Sequence, residues 1–234
     1  MKATVREIRD RFEHDVERFS NLETGQTATM DAALVLELIA QTAVRATPRA
    51  QSILDVGCGA GNYTLKLLSR LPNLNCTLVD LSPAMLERAK SRVSAATQGA
   101  VTTLEGDLRE LDFGRERYDL IVASAVLHHL RETSEWEAVF AKFYAALRPG
   151  GSIWISDLVT HANPAIQTLM WARYGEYLTA FKGTEYRDTV YAYIEHEDTP
   201  RPVLYQCDLL RRSGFHDVEI LHKNAVFAAF GAIK

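Results

Sequence analysis

Five polar residues recur in one setting along this chain. Asp55, Asp80, Asp107, Ser124 and Asp157 each close, or follow by a residue or two, a short apolar run of the kind that forms a buried strand. At the first of these runs, Ile53-Leu54-Asp55-Val56 leads into Gly57-Cys58-Gly59-Ala60-Gly61. Three glycines at alternate positions let a backbone turn touch a ligand, and the helix that follows at Leu65, Leu67 and Leu68 can present free N–H groups to it. Strand, glycine turn and helix open a nucleotide-binding α/β unit. The sixth position is Asn62 where a dinucleotide fingerprint requires glycine. A carboxylate beside the turn, Asp55, suits a cationic group better than a diphosphate. Asp80 stands about 20 positions beyond Gly61, where such units hold ribose hydroxyls. A carboxylate is all acceptor and a vicinal diol offers two donors, so the two match.

The D-x-G-x-G-x-G pattern of Asp55–Gly61 resembles motif I of the class I S-adenosylmethionine (SAM)-dependent methyltransferases, and L-R-P-G-G at 147–151 before a strand is a second piece of that resemblance. The resemblance implies SAM as cofactor and in-line methyl transfer to a small-molecule acceptor. It implies that Asp55, Gly57, Cys58, Gly59 and Gly61 form the floor of the cofactor site, and that Asp80 holds the ribose. Leu81 and Met85 would flank the adenine, Gly106-Asp107-Leu108 would read its amino group and cover its ring, and Ser124 would reach the methionine end. The segments D-L-S-P-A-M-L-E-R-A, E-G-D-L-R and S-G-F-H-D-V-E are also similar to the branch that makes carboxy-SAM for tRNA wobble-uridine modification. That branch has asparagine where Ser124 stands, and it needs an arginine late in the chain that only Arg187 could supply. A third possibility is a SAM-binding partner protein without catalysis.

The sulfonium is already an activated electrophile, so alignment and exclusion of water are the main demands on the protein. A general base is optional. Asp157, at the end of the fifth strand, is where the acceptor would approach, while Tyr174, Arg187 and His196 lie in the segment that should roof it. An arginine there could clamp a carboxylate. His128 and His129 follow the fourth strand; adjacent residues on an α-helix point about 100° apart, so the pair is not expected to share a metal, and no metal site is assigned.

These residues need elements to hold them. Strand and helix alternate from residue 50 to 158, which calls for a parallel sheet with right-handed crossovers. Leu71-Pro72-Asn73, the Ser82 N-cap with Pro83, and Arg148-Pro149-Gly150-Gly151 punctuate it. The expected fold is a doubly wound, Rossmann-like α/β sheet of seven mostly parallel strands, in the family order 3-2-1-4-5-7-6. One domain is expected, with N-terminal helices or a lid at 1–48, a SAM-binding core at 50–158, an acceptor-site elaboration at 160–202, and a closing helix and hairpin at 203–234. Within 1 to about 22, Ile8, Phe12, Val16 and Phe19 mark a helical stripe, fitting either a cover for the sheet edge or a lid over the cofactor. A second helix is expected over Thr27–Ala46 and another over Pro164–Phe181; 185–202 reads as a polar, aromatic stretch.

At 234 residues with 47% hydrophobic and 24% charged side chains, the chain is an ordinary globule, and a net charge of −4 supplies no large field for nucleic acid. Three cysteines without C-x-x-C spacing read as reduced packing residues. No signal-peptide-like segment or run of 18 apolar residues occurs. A cytoplasmic protein, monomer or homodimer, with no membrane and no direct nucleic-acid partner, is the expectation.

Overall fold

A computed structural model describes residues 2–21 and 27–234; Met1 and 22–26 of the expected N-terminal region lie outside the described residues. Seven strands form one sheet: β1 Ser52–Val56, β2 Asn75–Asp80, β3 Val101–Glu105, β4 Tyr118–Ser124, β5 Leu147–Leu158, β6 His216–Asn224 and β7 Phe227–Ile233. Their order is β3-β2-β1-β4-β5-β7-β6. Only β7 runs against the rest, pairing antiparallel with β5 from Ser152↔Ile233 to Leu158↔Phe227 and with β6 on its other side. Because β1 and β4 lie side by side while their chains leave in opposite directions, the tips of the strands open a crevice at the switch point of the sheet.

Side chains alternate across β1, so Leu54 and Val56 face one layer and Ile53 the other. The first layer is built on α6 (Thr133–Ala146) and α9 (Val203–Ser213), with Trp136, Phe140 and Phe143 fully buried. The second holds α3 (Ala32–Ala46), α4 (Asn62–Leu68) and α5 (Pro83–Ser94). Helix α3 begins at Ala32, later than expected, because Asp31 adopts a left-handed conformation (φ 58°) and pairs its carboxylate with His222 (2.9 Å) and Asn224 (2.8 Å). Ser82 caps α5 through Met85 N–H, with Pro83 at the first turn.

Two features position the site. Helix α1 (Val5–His14) starts from a capping box in which Thr4 and Glu7 satisfy each other's backbone N–H. At Asp15 it breaks into α2 (Val16–Ser20), making a strap across the strand tips. The strap is tied down by Ala3 N–H to the His196 carbonyl (3.0 Å), by Arg11 gripping both oxygens of Glu197 (2.8 and 2.6 Å), and by the Asn62 amide on the Phe19 carbonyl (2.9 Å). After β5, α7 (Pro164–Lys182) is followed directly by α8 (Thr184–Glu197), so the elaboration is helical and takes in most of the polar, aromatic stretch at 185–202. Tyr191 stacks on Trp171 at 4.6 Å, and its hydroxyl donates to the Trp171 carbonyl (2.6 Å), so the aromatics hold the two helices together.

Candidate functional site

Two cavities meet at the tip of β4. The first, of about 1080 Å³ and open to solvent along one side, lies over the glycine turn. The second, of about 800 Å³, lies under the elaboration. Phe12, Phe19, Ser124 and Ala125 wall both, so the strap and the β4 tip form the partition between them.

The turn is shaped from the backbone outward. Gly57 (φ +68°) has no room for a side chain, since a Cβ would sit 2.6 Å from that of Val126. A Cβ on Gly59 (φ +50°) would meet nothing within 4 Å, because this residue faces open space. Gly61 does not line the cavity: it caps α4 in a left-handed conformation, and its Cβ would press on Val93 of α5 at 3.1 Å. Its glycine serves helix packing. Asp55, Gly57, Cys58, Gly59, Asp80, Leu81, Met85, Gly106, Asp107, Leu108 and Ser124 all line the first cavity.

Three carboxylates there sit in different electrostatic states. Asp55 is 1% exposed; burial, with a further push from Asp80, raises its pKa to about 6 even though Thr64 donates a hydrogen bond of 2.7 Å. Burial raises Asp80 as well, against hydrogen bonds from Ser82 and Gly59 N–H, both 2.9 Å. The two bonds go to different oxygens and Leu81 N–H adds a third contact, so the four lone pairs of the carboxylate are not all used and it can still accept from a ligand hydroxyl. Asp107 departs from expectation. Burial works against its charge, but Arg109 grips both oxygens (2.5 to 3.0 Å) and holds the carboxyl below its usual range, while also pairing with Glu135 at 3.0 Å. A base amino group would therefore find Asp107 already engaged.

The acceptor-side candidates separate. Tyr174 and Asp157 line the second cavity. Tyr174 donates to the Ala28 carbonyl (2.9 Å), and burial pushes its hydroxyl well above the usual range. Asp157, 2% exposed, accepts from the N–H groups of Leu158 (2.7 Å), Leu127 (2.8 Å) and His128 (3.2 Å), and it pairs with His128 Nδ1. Its oxygens are spent on fixing the turn after β4. Arg187 and His196 line neither cavity: Arg187 pairs with its neighbour Asp188 (2.7 Å), and exposed His196 offers its carbonyl to the strap.

Several lining residues were not anticipated. Tyr63 lies beneath the partition, with its hydroxyl bonded to Ser124 and Ser156. Arg11 and Arg18 reach the second cavity from the strap, each held by a carboxylate, Glu197 and Asp15 (2.6 Å) respectively. His128 faces the second cavity and His129 the first. The two belong to a 3₁₀ turn, Leu127–His129, where their ring centroids are 4.3 Å apart and both approach Asp198. The divergence expected of α-helical neighbours does not hold in this turn. Burial pulls the imidazolium of His128 down, but Asp198 and Asp157 outweigh it and raise its pKa to about 9; burial and the charge of His128 lower that of His129.

Residues 53–151 match the methyltransferase-domain family. The malonyl-[acyl-carrier protein] O-methyltransferase of Priestia megaterium is 32% identical over 154 residues, 65% of this chain and 53% of that protein. The carboxy-S-adenosyl-L-methionine synthase of Escherichia coli is 28% identical over 149 residues, 62% of this chain and 59% of that one. The chain thus matches between half and two thirds of the length of these relatives. Among solved structures, phosphoethanolamine N-methyltransferase 2 of Haemonchus contortus, in complex with SAM, superposes with a TM-score of 0.60 at 18% identity, over 84% of this chain and 52% of that one. Glycine turn, strand-tip acids and sheet order, together with the family match over residues 53–151, identify the strand–helix core of this chain as a methyltransferase domain of the class I SAM-dependent type.

Proposed function

We propose that the chain binds SAM in the first cavity and transfers its methyl group to a small-molecule acceptor held in the second. The observation that carries this reading is the shared wall: Phe12, Phe19, Ser124 and Ala125 line both chambers. Bound SAM supplies a sulfonium methyl group, which passes to the acceptor as the sulfur takes the bonding pair. The chain's own residues fit that ligand. Gly59 leaves space that a side chain would fill. Asp55 and Asp80, both raised by burial, gain from a cationic ligand, and Asp80 has the free lone pairs for a diol. Leu81, Met85 and Leu108 offer apolar surface to an adenine ring.

The second cavity supports an acceptor with a flat or apolar body and one nucleophilic oxygen or nitrogen. Phe12, Phe19, Tyr174, Tyr193 and Phe227 wall it, and Ser156, His128 and Asp198 supply its polar corner. Binding there costs the acceptor its water, which favours displacement by excluding competing nucleophiles.

Similarity to carboxy-SAM synthase favours a second reading, in which the donor is converted and not used to methylate. Against it, Arg187 lines neither cavity, and the two arginines of the second cavity, Arg11 and Arg18, are already paired with carboxylates. Calorimetry with S-adenosylhomocysteine, followed by mass spectrometry of the ligand carried through purification, tests both. The expected result is stoichiometric binding and the mass of SAM or its demethylated product. A carboxy-SAM mass would favour the second reading, and no binding at millimolar ligand would end both.

A further inference from the structure

Between the two cavities, where His129 of the first meets Asp198 of the second, three buried atoms converge. Neither ring nitrogen of His129 nor Oδ1 of Asp198 makes a hydrogen bond of good geometry, although the two residues pair electrostatically. Asp198 is 5% exposed, and a buried polar atom without a good partner is destabilising. His129 Nδ1 lies 3.2 Å from Asp198 Oδ1, close but not in hydrogen-bond geometry, and His128 Nε2 lies 3.7 Å from the same oxygen. One donor atom from each of the three residues falls within 4.8 Å of the other two. Donors about 2.1 Å from a tetrahedral ion stand about 3.4 Å apart, close to the two edges that meet at Asp198.

The surroundings have the form of a metal site. The far nitrogen of His128, Nδ1, is paired with Asp157, which three backbone N–H groups fix in place. A carboxylate behind a ligating histidine sets the tautomer and orients the ring. The nearby cation, Arg11, is neutralised by Glu197. Asp157 and Asp198 carry two negative charges against the imidazolium of His128, and a divalent ion would take the place of the proton on Nε2.

We propose that His128, His129 and Asp198 bind one divalent transition-metal ion of the zinc class, with an open coordination position toward the second cavity. Two imidazoles and one carboxylate are a ligand set that suits such ions and leaves room for a further oxygen. If the methyl-transfer reading holds, that position takes the acceptor's oxygen and lowers its pKa, the Lewis-acid role; the ion site itself does not depend on it.

Cobalt(II) titrated into the chelator-treated full chain, with visible absorption as the readout, tests the site. One equivalent should bind saturably, with ligand-field bands and no thiolate charge-transfer band, since Cys58 is not a ligand. Affinity should fall at least tenfold in His129→Gln and in Asp198→Asn, with circular dichroism checking the fold. Should Asp198→Asn fail to fold, His129→Gln decides. Absence of saturable binding at millimolar cobalt, or binding that survives both substitutions, overturns the proposal. S-adenosylhomocysteine calorimetry on the same samples separates the two claims. Cobalt binding without nucleoside binding removes the methyl-transfer reading alone, and the reverse removes the ion site alone.

Discussion

Asp80 and Asp55 make opposite use of being buried. Asp80 gives part of its acceptor capacity to the backbone and keeps the rest for a ligand, so Asp80→Ala should weaken S-adenosylhomocysteine binding by about 1.5–3 kcal/mol, the range for hydrogen bonds to charged groups. Calorimetry that finds the affinity unchanged would remove Asp80 from the site. Asp55 has a pKa raised to about 6, above the unfolded value near 3.9, so the folded chain holds the extra proton. Stability should therefore fall as pH rises from about 4 to about 6 and then level off. In Asp55→Asn, which can still accept the Thr64 hydroxyl, that slope should flatten and stability at pH 7.5 should rise by about 1–3 kcal/mol, while donor affinity drops. Urea denaturation at pH 4.5 and 7.5 measures the first pair of effects; an unaltered slope would mean that Asp55 is ionised throughout. At this scale the sequence was informative wherever the chemistry was local. Acids at strand ends and a glycine turn announce themselves within ten residues. It was silent on what those acids would be bonded to: the grip of Arg109 on Asp107 and the spending of Asp157 on the turn after β4 depend on rotamers that no spacing encodes.

At the scale of elements, the legible part of the chain ends where helices stop packing on the sheet. From β1 to β5 each boundary carries its own punctuation, and α6 and α9 show an apolar stripe because they press on β-strands. Helix α8 does not: its inner face packs on α7 through aromatic rings and a hydroxyl, so polar and apolar residues mix along it. The contact is close at Gly175 of α7, where an added Cβ would lie 2.4 Å from the Tyr191 hydroxyl oxygen. Gly175→Ala gains about 1 kcal/mol of helix propensity. It should nonetheless lose about 1–2 kcal/mol net, because overpacking and the broken Tyr191–Trp171 bond outweigh that gain. Adding Tyr191→Phe removes the clashing oxygen, so the double variant should be more stable than Gly175→Ala alone. A double-mutant cycle by thermal unfolding gives the coupling. Simple additivity would mean that α7 and α8 do not meet as described.

Over the whole molecule, the two cavities draw on opposite ends of the chain. Residues 55–108, the glycine-turn half, line most of the first cavity; the segment from Asp157 to Phe227 lines much of the second; the strap spans both. A helical stripe at Ile8, Phe12 and Phe19 fits either a sheet-edge cover or a lid, and sequence cannot choose, because the decision rests with partners almost 200 residues away: His196 and Glu197. The strap contributes little to the sheet's core: of its stripe only Ile8 is fully buried, and Phe12 and Phe19 spend their surface on the cavities. Removing residues 1–21 should thus leave a cooperative unfolding transition and an unchanged sheet signal by circular dichroism. It should also open both chambers at once. Loss of the Val5, Ile8, Phe12 and Phe19 walls takes apolar surface from a bound nucleoside, and at about 25 cal/mol per Å² even 60 Å² or so is worth about tenfold in affinity. Binding of S-adenosylhomocysteine should weaken by that factor or more. Arg11→Ala is the milder form of the same experiment. It strands Glu197, which is 6% exposed, so the strap should loosen and become more sensitive to protease in the free protein, with ligand restoring protection. If deletion leaves affinity intact, or if ligand gives the strap no protection, the strap is a sheet-edge cover and the donor chamber closes by some other means.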